Sequence, residues 1–531
     1  MHVDIAGVKI ANAQLVWRDE KAGSTVTMSG LDLSTGRVQA DSARKVYQVD
    51  ALALAMKGKL DADSFDIKLQ APRVSITPEK SESETVTLSA SLTGAQRAVS
   101  AKLLLSGIEG GAQALRIGKL ALELDARSGE ASVKGALDSA LTADPEHRNA
   151  SLEKITGEVT IADPRMPMKQ LKLPLAGSLN ADLARQSASG DLATQFDESK
   201  IRLKFDIHKF APLALGFDLD IDKLNVDKYL PPKGSAGGKS AGDEKVDLAA
   251  LKGLNFSGAA RIGSLQVANL RASNLKLQMK AANGRLEVAP HSANLYGGTL
   301  AGSLALDANG NAVAAKENLS GIDINPLLKD AAGKDLIEGH GSVGLDVTTR
   351  GPTLAAMKKA LAGSAALSLK DGAVKGINLA QSLRELKARF SSKQDAVQQA
   401  KQSDKTDFSE LSASFKIANG VAHNEDLSAK SPFFRLAGNG DVDIGNDSVN
   451  YLAKASVVAT AGGQGAKDLE YLKGVTVPVR ITGPFDKLSY KIEFGGLATQ
   501  AIKGKIDEQS QAVKQKAQEK LQGTLKGLFG K

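Results

Sequence analysis

The sequence contains no cysteine, which excludes a disulfide framework and a thiolate metal site and fits an oxidising or a reducing compartment equally. Aromatic residues are scarce, 4% of the chain with one tryptophan, so the 42% of hydrophobic residues is mostly small and aliphatic. No run of about 18 apolar residues occurs, so no segment is long enough to span a bilayer as a helix. The opening residues, MHVDIAGVKI, lack the basic start and apolar core of a signal peptide. No basic stripe carries interleaved stacking aromatics, which argues against nucleic acid as a partner. The net charge of +8 is spread among interleaved acids and bases, as on an ordinary solvated surface.

What the sequence has in quantity is alternation. Leu15 and Trp17, Val26 and Met28, Leu31 and Leu33, Leu52 and Leu54, and Leu122 and Leu124 each skip one polar or small residue. Ile201, Leu203 and Phe205 do the same, as do Leu275, Leu277 and Met279. Period two marks strands with one apolar and one polar face. Between them stand Asn283-Gly284, Asn309-Gly310, Asp371-Gly372, Asn419-Gly420 and Asn439-Gly440, pairs that supply the positive φ angles of two-residue hairpin turns. The chain is expected to be mainly β: an elongated antiparallel sheet with a few flanking helices.

Residues 231–247, PPKGSAGGKSAGDEKVD, have no apolar period and form a flexible connector between a β-rich segment, 1–230, and a second β domain, 248–495. An internal repeat lies in that second domain. Lys280 to Gly284 resembles Lys416 to Gly420, and sixteen residues after each turn glycine stands Leu-Ala-Gly, at Leu300 and at Leu436. Matched spacing suggests a repeated sheet unit. Three helices are expected: one with Leu354, Met357 and Leu361 on a face behind Pro352 and Thr353, one over 378–390 capped by Asn378, and one in a basic tail, 496–531, aligning Val513, Ala517, Leu521, Leu525 and Leu528. Two readings of that tail stay open: packing or disorder, and contact with an anionic membrane surface or a partner.

No motif carries chemistry. GHGSVG at 339–344 has dinucleotide-fingerprint spacing, but an alternating strand follows it where a helix is required. KGSAGGKS places Lys233 where a phosphate-binding loop needs glycine, and it belongs to the connector. The histidines His2, His147, His208, His291, His340 and His423 are far apart in sequence and are expected to be isolated surface or turn residues. No cofactor or metal is expected.

The segment ALAGSAALSLKDGAVKGINLAQSLR, followed by FSELSASFKIANGVAHNEDLSAKSPFFRLAGNGDVDI and GVTVPVRITGPFDKLSYKIEF, resembles the C-terminal domain of AsmA family proteins. LSGIDINPLLKDAAGKDLIEGHGSVGLDVTTRGPTLAAMKKAL, NLYGGTLAGSLALD and VKIANAQLVWRD fit the same family, most closely over 261–494. The resemblance implies a Gram-negative periplasmic protein, anchored to the inner membrane by an N-terminal helix absent from this sequence. It also implies kinship with TamB-type bridge-like lipid transfer proteins, whose curled sheets form an apolar-lined groove. The expected function is non-enzymatic: supporting outer-membrane biogenesis by binding phospholipid acyl chains and passing them between the inner-membrane and outer-membrane surfaces. The residues expected to face acyl chains are Leu275, Leu277, Leu300, Leu304, Leu306, Leu367, Leu369, Phe434, Leu436, Val442 and Ile444. The rival expectation is a scaffold or chaperone-like factor for outer-membrane proteins, and a distant third is an enzyme on a β-solenoid.

Overall fold

A computed structural model of the chain describes residues 2–19, 24–77, 81–111, 114–164, 166, 168–229, 245–379, 381, 398–399, 401–432, 434–458, 474, 476–493, 504, 507–508 and 510–519. The chain is mainly β. It divides into two compact units, the first Met1–Ser235 with Asn255–Leu265, the second Ala236–Leu254 with Gln266–Lys531.

The first unit is a meander of long strands. From Val46–Leu60 through Asp63–Ile76, Val86–Thr93, Arg97–Gly111, Ala114–Ser128, Ala131–Asp144, Asn149–Ala162, Gln170–Asp182, Ser187–Phe196 and Ser199–Lys209 to Ala214–Asn225, each strand pairs antiparallel with the next. The next strand breaks that rule. The Leu215 N–H donates to the Asn255 carbonyl, Phe217 meets Phe256, and Arg261 holds Asp220, so the contacts rise together along both segments. Residues 256–265 therefore run parallel to Ala214–Asn225. A parallel neighbour needs a connection of a dozen or more residues, and the sequence separation between Asn225 and Phe256 is long enough for one.

The second unit repeats a meander. Leu270–Ala282 and Arg285–Leu295 join through Asn283-Gly284, with φ of 53° and 77°. Lys401–Ala418 and Val421–Lys430 join through Asn419-Gly420, with φ of 50° and 77°. Both are the two-residue turns the sequence announces. The third strands of the two copies, Gly298–Asp307 and Phe434–Asp443, each lead into a four-residue turn that ends in a positive φ, at Asn311 (45°) and Asp447 (52°). The copies even share a bulge, between Val288 and His291 in one and between Asn424 and Leu427 in the other. The sequence repeat is a repeated sheet unit.

The other turn pairs correct the sequence reading. Asn309-Gly310 lies inside one of the four-residue turns, where Asn311 takes the positive φ. Asp371-Gly372 makes no turn: Ala362–Gly376 is one strand, and Asp371, at φ 48°, bulges within it. Asn439-Gly440 lies within Phe434–Asp443, where a Cβ on Gly440 would come 2.7 Å from the Tyr451 Cα and 3.0 Å from its ring. This glycine serves close packing of strands. Turn-forming residues do not turn where partners flank them on both sides.

The helices are short. Leu354–Lys359 is capped by Thr353, whose Oγ1 accepts from the Ala356 N–H at 3.2 Å; Met357 is buried, and Leu361 lies beyond the helix end. Ile324–Ala332 was not signalled by periodicity; it ends at Gly333, φ 65°, whose N–H caps the Leu328 and Lys329 carbonyls. The Asn378 Oδ1 accepts from the Gln381 N–H at 2.9 Å, as its capping role requires, but 382–397 lie outside the described residues. So do most of the connector and of the tail, although Val246 is tied to the Pro352 carbonyl and 510–519 are helical and exposed. GHGSVG lies inside the strand Ile337–Arg350, as its alternation indicates.

Candidate functional site

Cross-strand register turns the alternation into continuous apolar rows. In the first unit Ile10 faces Leu33, which faces Leu54, then Leu69, Leu88, Leu103 and Leu122. The row continues through Leu137, Gly157, Leu175, Thr194 and Ile201 to Ile221. Paired residues point to the same side of a sheet, so all thirteen share one face. At ~4.8 Å per strand the row has a contour of roughly 60 Å. The reverse face is charged: Asp66 lies 3.8 Å from both Lys57 and Lys68, and Asp125 lies 3.4 Å from Lys134.

None of the thirteen is fully buried; most are half-buried. A sheet face normally buries itself against a second layer. Among the described residues of the first unit the only fully buried hydrophobic residues are Ala71, Ile117, Ile155, Ala260 and Ile262. The aliphatic face of this unit has no second layer over it among those residues. A trough of about 870 Å³ opens where the leucines give way to smaller side chains, along the row Leu115, Ala143, Ala150, Ala181, Ala188 and Ile207.

In the second unit the aliphatic face is partly covered. Leu319, Ile322, Ile324, Leu369, Phe408, Leu411 and Ala429 form a closed core, with Leu327 and Leu328 of the Ile324–Ala332 helix packed on it. This settles where each expected residue lies. Leu369 is 2% and Phe434 1% exposed, so both face protein. Leu300, Leu367 and Leu436 are half-buried against that core. Leu304 and Val442 are half-buried in one row, which runs from Met279 and Val288 to Val449. Leu306 borders that row, opposite Leu286 and Val313. Leu275 and Leu277 are half-buried while Lys276, Gln278 and Lys280 are exposed. Ile444 lies in the turn after Phe434–Asp443, so it does not continue the strand face.

Two polar features within this face escaped the sequence reading. His291 is buried, its Nε2 2.8 Å from the Glu317 carboxylate and its Nδ1 3.3 Å from the Val288 carbonyl. It is opposite Gly302, where a side chain would collide with that carboxylate, so the glycine makes room for the pair. Asn424, 1% exposed, donates to the Ser414 carbonyl and to Asp426, both at 2.7 Å, and accepts from the Tyr451 hydroxyl. Burial pushes the Tyr451 phenol well above its ordinary pKa. Only tertiary pairing reveals either cluster. Among the described residues no group of three or more His, Asp or Glu could hold a metal ion, and no helix is long and apolar enough to cross a membrane.

Comparison with known proteins gives these faces a family. The chain is 22% identical over 366 residues to Protein AsmA of Escherichia coli (strain K12), a match covering 61% of this chain and 58% of that protein. The chain thus matches a little over half the length of that relative. The AsmA family model matches residues 1–427, taking in the whole first unit as well as much of the second. The chain belongs to the AsmA family.

Proposed function

We propose that this protein binds lipid acyl chains on the aliphatic face of its sheet and conducts them along it, serving phospholipid transport between the inner and outer membranes from the periplasm. One observation carries the reading: a thirteen-residue row, eleven of its members Leu or Ile, that no second protein layer covers among the described residues. Small aliphatic side chains suit this role, because they leave width for a guest that bulky aromatics would fill. Moving two chains of about 15 methylenes into water costs on the order of 24 kcal/mol, and a continuous apolar path removes most of that barrier. The row is about twice as long as the ~30 Å hydrocarbon core of a bilayer. The chemistry required is passive, and no side chain is assigned a catalytic role. Supporting outer-membrane biogenesis follows as the purpose of such a path.

A photo-crosslinking residue at Leu103 tests the reading against one at Lys102, its neighbour on the opposite face. In cells, Leu103 should capture phospholipid and Lys102 should not. Equal capture at both, or none at either in folded protein, would overturn the proposal.

A further inference from the structure

The antiparallel strands of the first unit turn back along two edges, and these edges differ in sign. On one edge lie the tips 42–45, 145–148, 183–186 and 210–213, joined in part by a hydrogen bond from the Leu183 N–H to the Arg148 carbonyl at 3.0 Å. Three of these tips are built alike. Asp41, Asp144 and Asp182 each close the turn by accepting from the backbone N–H three residues on, at Arg44, His147 and Arg185, at 2.8–3.0 Å. Each turn ends in a positive φ, at Lys45 (54°), Arg148 (58°) and Gln186 (56°). The four tips carry Arg44, Lys45, Arg148 and Arg185 against Glu146 and the three turn-closing aspartates, whose side chains are tucked in at 24–27% exposure, so the outermost charges are mostly cationic. The Arg44 and Arg185 side chains are 83% and 85% exposed, with only long contacts of 3.8 and 3.6 Å to Asp41 and Asp182. The opposite edge, leaving aside the longer 163–169 connection, has tips at 61–62, 94–96, 129–130 and 197–198, with Asp61, Glu130, Asp197 and Glu198 and no cation. There Lys228 and Lys223 engage Asp197 and Glu198 at 3.1 and 2.9 Å.

The cationic edge also exposes large apolar side chains. Leu183 is 59%, Leu213 51% and Phe210 39% exposed at the tips, and Tyr47 and Ile76 pair across strands beside them at 43% and 45%. Apolar residues flanked by exposed cations suit the boundary between anionic headgroups and acyl chains. The residues that flank the tips, Asp144, Asn149, Asp182, Ser187 and His208, also line the 870 Å³ trough with its floor of alanines.

We propose that this tip edge docks on an anionic lipid bilayer, and that an acyl chain leaving or joining the bilayer passes between the tips into the alanine-floored trough and so onto the leucine row. The inference rests on the acyl-chain reading of the aliphatic face and adds where and how that face meets a membrane. No covalent step is involved.

Vesicle flotation of the full chain tests it, with vesicles of mixed phosphatidylglycerol and phosphatidylcholine compared with phosphatidylcholine alone. The wild type should bind the anionic vesicles and release them as salt rises, since screening shortens from ~10 Å at 0.1 M to ~3 Å at 1 M. The combination Arg44→Glu, Arg148→Glu, Arg185→Glu should weaken that binding at least tenfold, and so should Leu183→Ser with Phe210→Ser and Leu213→Ser. Glu130→Gln, on the opposite edge, should leave it unchanged. All these positions are exposed, and an unaltered circular-dichroism melt shows that the variants fold. Phospholipid crosslinking at Leu103, carried out with lipid supplied in detergent, should persist in the tip variants and reports separately on the acyl-chain reading. Tip variants that float as well as wild type, or a wild type that ignores anionic vesicles at low salt, would overturn the docking edge whatever Leu103 captures.

Discussion

Leu304 and Val442, on equivalent strands of the internal repeat, stand in one cross-strand row, linked through Ala315, Val347, Gly363, Ile417 and Ala422. Each step of the row is a direct cross-strand pair, so both side chains emerge on the same face of the second unit. Their chain neighbours Ser303 and Asp443 emerge on the other.

Parity therefore supplies an internal control. A photo-crosslinking residue at Leu304 or Val442 is expected to capture phospholipid in cells, and one at Ser303 or Asp443 is not. Leu304→Glu should interrupt transport by setting a charge among acyl chains, while Ser303→Glu should leave it intact. Outer-membrane integrity assays in cells that depend on this protein would read the difference.

Burial separates core from lining. Leu369→Ala should cost about 2–5 kcal/mol and Phe434→Ala about 3–5, because both side chains are fully enclosed and truncation leaves a cavity. Leu103→Ala, at a half-buried position in the first unit, should cost only roughly 1 kcal/mol. Urea unfolding followed by circular dichroism measures all three. A loss at Leu103 as large as that at Leu369 would mean that protein covers the row.

The helix over the second unit's core is held by a carboxylate. Asp335 receives the Lys375 ammonium at 2.7 Å, the Asn325 amide at 2.7 Å and Lys329 at 3.2 Å, the last two from the Ile324–Ala332 helix. These partners, Lys375 foremost, hold its carboxyl well below the usual carboxylate range. The unfolded chain binds that proton more readily, so the stabilisation is complete above the ordinary value of about 3.9 and fades as pH falls below it. Asp335→Asn should lower the urea midpoint at neutral pH, and the gap from wild type should close as the solution is acidified. A gap independent of pH would assign the effect to packing instead.

Much of this molecule is legible residue by residue. Alternation at Leu275, Leu277 and Met279 marks one face of a strand, and the repeat at Asn283-Gly284 and Asn419-Gly420 marks equivalent hairpins. Other elements resist such reading. Asp371-Gly372 and Asn439-Gly440 have turn chemistry yet lie within strands, because neighbouring strands on both sides hold the backbone extended. The Ile324–Ala332 helix is too short to show a clear period, and its stability comes from packing on Leu319, Leu369 and Leu411. The buried pair His291–Glu317 joins residues from two strands, so neither residue signals it alone.

By itself the sequence determined a β protein with one aliphatic and one polar face per strand, since side-chain direction alternates with backbone geometry and needs no distant partner. Only the tertiary structure decided which stretches of that face are covered. Leu103 and Leu369 look alike in their strands; one is half-buried in an open row, the other closed beneath protein. The difference depends on a helix 45 residues before Leu369 in its chain folding back over the second unit's face, where no such layer covers the first among the described residues. Alternation is a local property, whereas covering a face depends on long-range contacts that hydrophobicity along the strand does not encode.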